Sequence, residues 1–251
     1  VDPRMLLGSE VTLLADEPLY GVVSCLPPHL LKAGEQNKAV PISEMAIDTG
    51  LLDAKSRIKV GTPVLFGQTP ITLAGGQLCS KCLDDRAGIA AILLAMKQLK
   101  KAKKLRCNIA VLVSAQEEVT GLGAQTGAFA VQPEYAIAVD VTDTGDLPEM
   151  KTAMAVEMGG GPAVKVMDRS VICSPAVCAG LEKAAELLGI STQREILQCG
   201  GTDTAALQKA RAGVAAGAVS IPTRYIHSPS EMCAVSDVEQ SAALLAKFAV
   251  L

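Results

Sequence analysis

Four short segments of this 251-residue chain end in residues able to hold a divalent cation. They are Leu83-Asp84-Asp85-Arg86-Ala87-Gly88, Gln116-Glu117-Glu118, Val139-Asp140-Val141-Thr142 and Arg224-Tyr225-Ile226-His227-Ser228-Pro229. Adjacent carboxylates at the mouth of a buried strand are costly unless a cation neutralises them. The chain sets up such a pair twice, at Asp84-Asp85 and Glu117-Glu118. Carboxylates plus histidine, without cysteine, suit a pair of zinc, cobalt or manganese ions. One carboxylate can then bridge both ions, and the member of Glu117-Glu118 that is not a ligand can serve as general base toward a bridging water.

Each element also has a plainer reading. Glu117-Glu118 can be a solvated surface pair, and Asp84-Asp85 an N-cap with a first-turn acid. Asp140 can open a turn, and His227 can be a core histidine. The conjunction of ligand types at the ends of apolar runs favours metal hydrolysis, but the residues alone leave both readings open.

These residues need elements to position them. Residues 1–72 hold short β-like runs (Glu10 to Leu14, Leu19 to Cys25, Lys59 to Phe66) broken by Pro and Gly. That spacing suggests a small β-barrel or sandwich. From residue 73 to 251 the pattern changes to strands alternating with helices, the mark of an α/β sandwich with ligands at its strand ends. Gly88 to Leu99 reads as a helix, and the basic stretch Lys100 to Arg106 as its solvated end. Cys107 to Ala115 and Tyr135 to Val141 read as buried strands that run into Glu117-Glu118 and Asp140. Ser174-Pro175 and Gly189 punctuate a helix over Ser174–Leu188. Thr192 to Leu197 reads as a strand, Asp203 to Ala210 as a helix, and Val214 to Ile221 as a strand stopped by Pro222. Ser236-x-x-Glu239 reads as a capping box opening the last helix.

Composition removes several function classes. A net charge of -3 leaves no basic footprint for nucleic acid. The longest apolar run, Gly88 to Met96, is too short to cross a bilayer. Eight cysteines in a chain of this length, without a secretory signal, point to reduced cytoplasmic thiols. Cys79-Ser80-Lys81-Cys82 is the single C-x-x-C, and with no second one to complete a zinc site it reads as two thiols on a strand. An endoglucanase using Glu117 and Glu118 is an alternative. Neighbours on a strand point to opposite faces, however, and the chain has no Trp to stack sugars.

Taken in order, the ligand segments and several further motifs resemble the TET-type dinuclear metal aminopeptidases, the glutamyl and deblocking aminopeptidases, some of which carry the name endoglucanase. The likeness covers essentially the whole chain. It includes Gly21-Val22-Val23, Pro27-Pro28-His29-Leu30, Ile47-Asp48-Thr49-Gly50, Gly145-Asp146-Leu147-Pro148 and Gly200-Gly201-Thr202-Asp203. The resemblance implies an α/β fold, a peptidase-type three-layer α/β sandwich with a small β-barrel-like domain at 1–72. The catalytic domain at 73–251 would lack its N-terminal part.

The same resemblance implies roles. Asp84 bridges two divalent ions (Zn, Co or Mn) across an Asp84–Asp85 peptide held cis. Glu118 and His227 complete one metal site, Asp140 binds the other ion, and Glu117 is the general base. Asp203 and Arg224 contribute to substrate binding, Asp146 belongs to a matching motif, and His29 is structural. The implied protein is a cytoplasmic, dimer-based homo-oligomer, up to a dodecamer, that hydrolyses the N-terminal residue of peptides. No membrane or nucleic acid is involved.

Two departures stand out. The family follows Glu-Glu-Val with Gly-Leu-Arg-Gly-Ala, whereas this chain has Thr120-Gly121-Leu122-Gly123-Ala124 and so lacks the Arg. The family also draws a ligand from an upstream His-x-Asp that has no counterpart here. The expectation is therefore roughly 60–100 further residues before Val1 in the natural polypeptide. In the chain as it stands, at most one well-formed metal site and little activity are expected. The alternative is a catalytically silent assembly subunit or fragment.

Overall fold

The computed structural model describes residues 2–32, 34, 38–102, 105–149 and 154–251. By internal contacts the chain divides into two units. One contains Val1–Ile71 with Cys79–Cys82 and His227–Glu231; the other contains Thr72–Leu78, Leu83–Ile226 and Met232–Leu251.

The first unit is built on β1 (Glu10–Leu13), β2 (Leu19–Ser24), β3 (Ala46–Asp48) and β4 (Val64–Phe66), with a helical turn α1 (Ala54–Arg57) between the last two. The strands pair antiparallel in the order β3-β2-β1-β4. Period-two alternation turns Val11, Leu13 and Val23 inward, where Leu6, Leu19, Met45, Ile58 and Phe66 cover them. Gly21 lets β3 pass close: a Cβ there would lie 2.6 Å from Ile47 Cγ2. The barrel-like expectation is corrected, because no pairing joins β3 to β4 among the described residues and the sheet stays open. The expected run Lys59–Phe66 shortens to Val64–Phe66, since Gly61 at φ 91° turns the chain before Pro63.

The larger unit carries a seven-stranded sheet: β5 (Ile71–Thr72), β6 (Gln77–Ser80), β7 (Tyr135–Thr142), β8 (Ala163–Met167), β9 (Gln193–Ile196), β10 (Ala215–Arg224) and β11 (Glu231–Ala234). Its order is β5-β6-β11-β10-β8-β9, with β7 parallel to β10 from Ala215↔Tyr135 to Pro222↔Thr142. The helices are α2 (Leu83–Leu99), α3 (Glu117–Thr120), α4 (Leu122–Val131), α5 (Pro175–Leu188), α6 (Thr204–Gln208) and α7 (Val235–Phe248).

Alternation along β7 and β10 decides which side chains reach the site. Val139, Val141, Val219 and Ile221 join the cores formed with α2, α5 and α7. A Cβ on Gly217 would lie 2.6 Å from Val177 of α5, which fixes the same face. The intervening residues, Asp140, Thr142 and Ser220, therefore point to the opposite face, where α6 packs on both strands. Helix α2 buries Leu83, Ala87, Ala91, Ala95 and Leu99, one residue per turn, and α7 answers with Ala242 and Ala246. Small side chains on both helices let them approach closely.

Three expectations are corrected. Cys107–Ala115 forms no strand: no described strand lies beside it to take its backbone groups, and Val111, Leu112 and Val113 are 47%, 41% and 66% exposed. Part of its surface is covered: Ile109 packs against the core shared by α2 and α7, and a Cβ on Gly127 of α4 would lie 2.5 Å from Leu112 Cδ2. Second, Pro222 does not stop β10. Pairing hands over at this residue from β7, ending at Pro222↔Thr142, to β11, beginning at Thr223↔Cys233, so the missing N–H interrupts neither ladder. Third, Ser236 forms no capping box. The N-cap of the last helix lies two residues earlier, at Ala234, and makes no side-chain cap bond. Asp237 in its first turn is fully buried and accepts the N–H groups of Gly159 and Gly161 at 2.7 and 3.1 Å. Part of Lys100–Arg106 lies outside the described residues.

Candidate metal centre

Asp84 and Asp85 occupy the entrance to α2 with non-helical backbone (φ -81°, ψ 103° and φ -116°, ψ 52°), and the peptide between them is cis. The regular helix begins beyond them. Asp85 Oδ1 accepts the Gly88 N–H at 2.9 Å, so the N-cap reading holds for this one member of the pair. Gly88 is required for that bond, because a Cβ would lie 2.3–2.4 Å from the Asp85 carboxylate oxygens.

Glu117 and Glu118 lie on a single helical turn and not at a strand end, which corrects the sequence expectation. Gln116 (φ 62°, ψ 33°) and Gly121 (φ 63°, ψ 22°) are both left-handed and bracket the turn. Gln116 carbonyl accepts the N–H groups of Thr120 and Gly121 at 3.1 and 3.0 Å. The strand-geometry objection to a glycosidase therefore does not apply here, although the lack of Trp still does.

His227 lies in the loop that joins β10 to β11, with φ 64°, and Tyr225 two residues earlier has φ 59°. Non-glycine residues rarely adopt this region, and they cluster at functional sites when they do. The His227 N–H donates to Glu231 Oε1 at 2.9 Å, and Glu231 is buried.

These three segments converge. One ligand atom each from Asp84, Glu118 and His227 lies within 4.8 Å of the others. Ligands on one ion with bonds of about 2 Å stand at comparable spacing. Asp140 is outside this three-donor group but shares its electrostatic surroundings. Its Oδ1 accepts the Val141 N–H at 2.8 Å. Burial, followed by the charges of Asp85, Asp84 and Glu117, pushes its carboxyl up to about 9 against that bond. Burial likewise pushes Asp85 up to about 8, opposed by the Gly88 N–H and assisted by Asp84, Glu117 and Asp203. Carboxylates that raise one another in this way are a poor arrangement for bare protein and a suitable one around a cation. The donor set, carboxylates and one imidazole, fits a divalent metal ion.

The remaining candidates separate. Arg224 donates to both oxygens of Asp146, at 2.5 Å from Nη2 and 3.4 Å from Nε, with the two side chains 18% and 24% exposed. Burial is the largest influence on Asp146 and opposes its ionisation, but Arg224, Thr144 and the Met158 backbone together outweigh it and hold the carboxyl below its ordinary range. Asp203 Oδ2 accepts the Ser114 hydroxyl, a partner that nothing in the sequence marked. Glu231 was likewise missed, its one signal being a position four residues after His227. His29 is exposed on a short helical turn and belongs to no three-donor group among the described residues. All eight thiols are free; Cys79 is half-buried in β6, but Cys82 is exposed in the turn after it at φ 55°, which corrects the reading of both as strand residues.

Residues 1–244 match the M42 glutamyl aminopeptidase family. An Acetivibrio thermocellus protein, provisionally named an aminopeptidase, is 42% identical over 214 residues, 84% of this chain and 63% of the relative. The chain thus spans less than two thirds of that relative's length. A TET aminopeptidase from the marine sediment archaeon Thaumarchaeota archaeon SCGC AB-539-E09 superposes with a TM-score of 0.92 at 28% identity, over 99% of this chain and 72% of its own. The Pyrococcus horikoshii TET1 peptidase, which can assemble into a tetrahedron or a large octahedral shell, gives a TM-score of 0.81 at 28% identity, over 99% and 74%.

Proposed function

Because the chain belongs to the M42 glutamyl aminopeptidase family, we propose that it carries the metal-dependent chemistry of an aminopeptidase, removing the N-terminal residue from peptides. The observation that supports this most is the convergence of Asp84, Glu118 and His227 beside Glu117. In this reading Glu118 and His227 would hold one divalent ion, Asp140 would hold a second, and Asp84 would serve as a further ligand. Two such ions per complete subunit would polarise the scissile carbonyl and make bound water acidic enough to deprotonate near neutral pH. Glu117, next to a ligand but with no ligand role itself, takes the proton from that water and returns it to the leaving amine. Arg224, fixed by Asp146, presents a rigid cation to the substrate side.

Homo-oligomeric assembly extends by likeness from the Pyrococcus horikoshii shell. Operation in a reducing cytoplasm accords with eight free thiols, and no helix among the described residues is long and apolar enough to cross a membrane.

The test pairs elemental analysis with hydrolysis of aminoacyl p-nitroanilides by the full-length natural polypeptide. Zinc-, cobalt- or manganese-dependent release that stops when the substrate amine is acetylated supports the reading. Metal binding without any such release contradicts it.

A further inference from the structure

The loop that carries Glu117 and Glu118 is held from outside by one residue. Ser114, three positions before Glu117, donates its hydroxyl to Asp203 Oδ2. Gly121, at the other end of the turn, faces the second oxygen of the same carboxylate. A Cβ on Gly121 would lie 3.3 Å from Asp203 Oδ1 and 3.6 Å from Ala206 Cβ. Asp203 Oδ1 is buried and has no hydrogen-bond partner. The Asp203 carboxylate therefore lies beside both ends of an eight-residue stretch whose middle is the Glu117-Glu118 pair.

The stretch needs such a clamp. Its helix is only Glu117–Thr120, too short to be stable by itself, and both flanking residues are left-handed. Gln116 is the costlier of the two, since it has a Cβ and still adopts φ 62°. Gly123 adds a second close approach: its N–H donates to Ala115 carbonyl at 3.0 Å, and a Cβ would lie 2.3 Å from Ala115 N. Asp203 itself sits immediately before α6, which packs on β7 and β10, so the clamp is anchored to the sheet. Asp203 has no side-chain bond to its own helix, although it occupies the N-cap position. Its carboxylate is directed to the loop instead.

We infer that Asp203 is a positioning residue, whose carboxylate, bonded to Ser114 at one end and filling the space beside Gly121 at the other, holds the turn that aims Glu117 at the substrate and Glu118 at the metal. The inference rests on the proposed roles of Glu117 and Glu118, and it replaces a direct substrate contact by Asp203 with an indirect action.

The test compares Ser114→Ala, Asp203→Ala, Asp203→Asn and the Ser114→Ala/Asp203→Ala double variant in the full-length polypeptide. Hydrogen exchange in metal-free protein reads the clamp without reference to activity. The amides of Thr120 and Gly121 should exchange about tenfold faster in both alanine variants, the scale of one charge-assisted bond, with β7 and β10 unchanged. With metal restored, kcat on an aminoacyl p-nitroanilide should fall by roughly 10²-fold while KM stays level, since misaimed groups cost turnover and not binding. Asp203→Asn keeps an oxygen for the Ser114 hydroxyl and should recover most of both readouts, and the double variant should be no worse than Asp203→Ala. Unchanged exchange at 120–121 in Ser114→Ala would overturn the clamp whatever the enzyme hydrolyses. A rise in KM with kcat intact, or Asp203→Asn as impaired as Asp203→Ala, would assign Asp203 to substrate contact. An inactive parent protein with the exchange effect present would overturn the proposed activity and leave the clamp standing.

Discussion

Asp84 and Asp85 are adjacent carboxylates with divided duties: Asp84 joins Glu118 and His227 in a three-donor group, while Asp85 accepts the Gly88 N–H at 2.9 Å as the cap of α2. A cis peptide links them, as the family resemblance implied. The division predicts opposite results from the same substitution. Asp84→Asn should empty the metal centre, because a site that loses one of its few ligands loses affinity steeply. Asp85→Asn should keep the cap, since asparagine offers an oxygen to Gly88. It also removes a carboxyl that must take up a proton on folding at neutral pH, being pushed up to about 8, so the metal-free protein should melt at a higher temperature there. Elemental analysis and thermal melts separate the two, and equal metal loss in both variants would contradict the division.

A second prediction follows from the raised acids. Asp140 and Asp85 are pushed up to about 9 and about 8, first by burial. A carboxyl that holds its proton more tightly when folded favours the folded state most below its unfolded value, about 4. That contribution is lost as pH rises through 8 and 9. In chelator, the melting midpoint should therefore drop between about pH 5 and about pH 9 by more than it does in Asp140→Asn. Saturating zinc or cobalt should flatten the wild-type profile. Identical slopes for wild type and Asp140→Asn in chelator would contradict the assignment.

Much of this site was legible in sequence because its residue types have few other uses together. The β7 strand and the α5 helix appear as expected, the latter bounded by Pro175 and left-handed Gly189. What was not legible depends on partners distant in sequence. Cys107–Ala115 has strand composition, but a strand exists only where another takes its hydrogen bonds. Pro222 lies inside β10 because two ladders meet at that point, which no local pattern announces. Ser236-x-x-Glu239 matches a capping box, yet Asp237 ties the first turn to Gly159 and Gly161 instead. The left-handed Gln116 that turns Glu117 and Glu118 onto a helix has no composition signal at all.

A third prediction concerns the interior away from the metal. Lys165 of β8 pairs with Glu195 of β9, its register partner, and lies 3.5 Å from Asp168, all three side chains at 1% exposure or less. Lys165→Met would leave two carboxylates buried without their cation, at a cost of about 3–5 kcal/mol. Adding Glu195→Gln should return part of that loss. Urea unfolding measures both, and a loss under about 1 kcal/mol for Lys165→Met would show that the ion pair is not needed for stability.

The most direct measurement of the central claim compares Glu117→Gln with Glu118→Gln in the full-length polypeptide, recording metal content and peptide hydrolysis together. Glu117→Gln should keep its metal and fold and lose roughly 10²–10⁴-fold or more in turnover, as removal of a general base does. Glu118→Gln should lose metal from the Asp84–His227 site along with its activity. Metal loss in Glu117→Gln, or full turnover in either variant, would contradict the account.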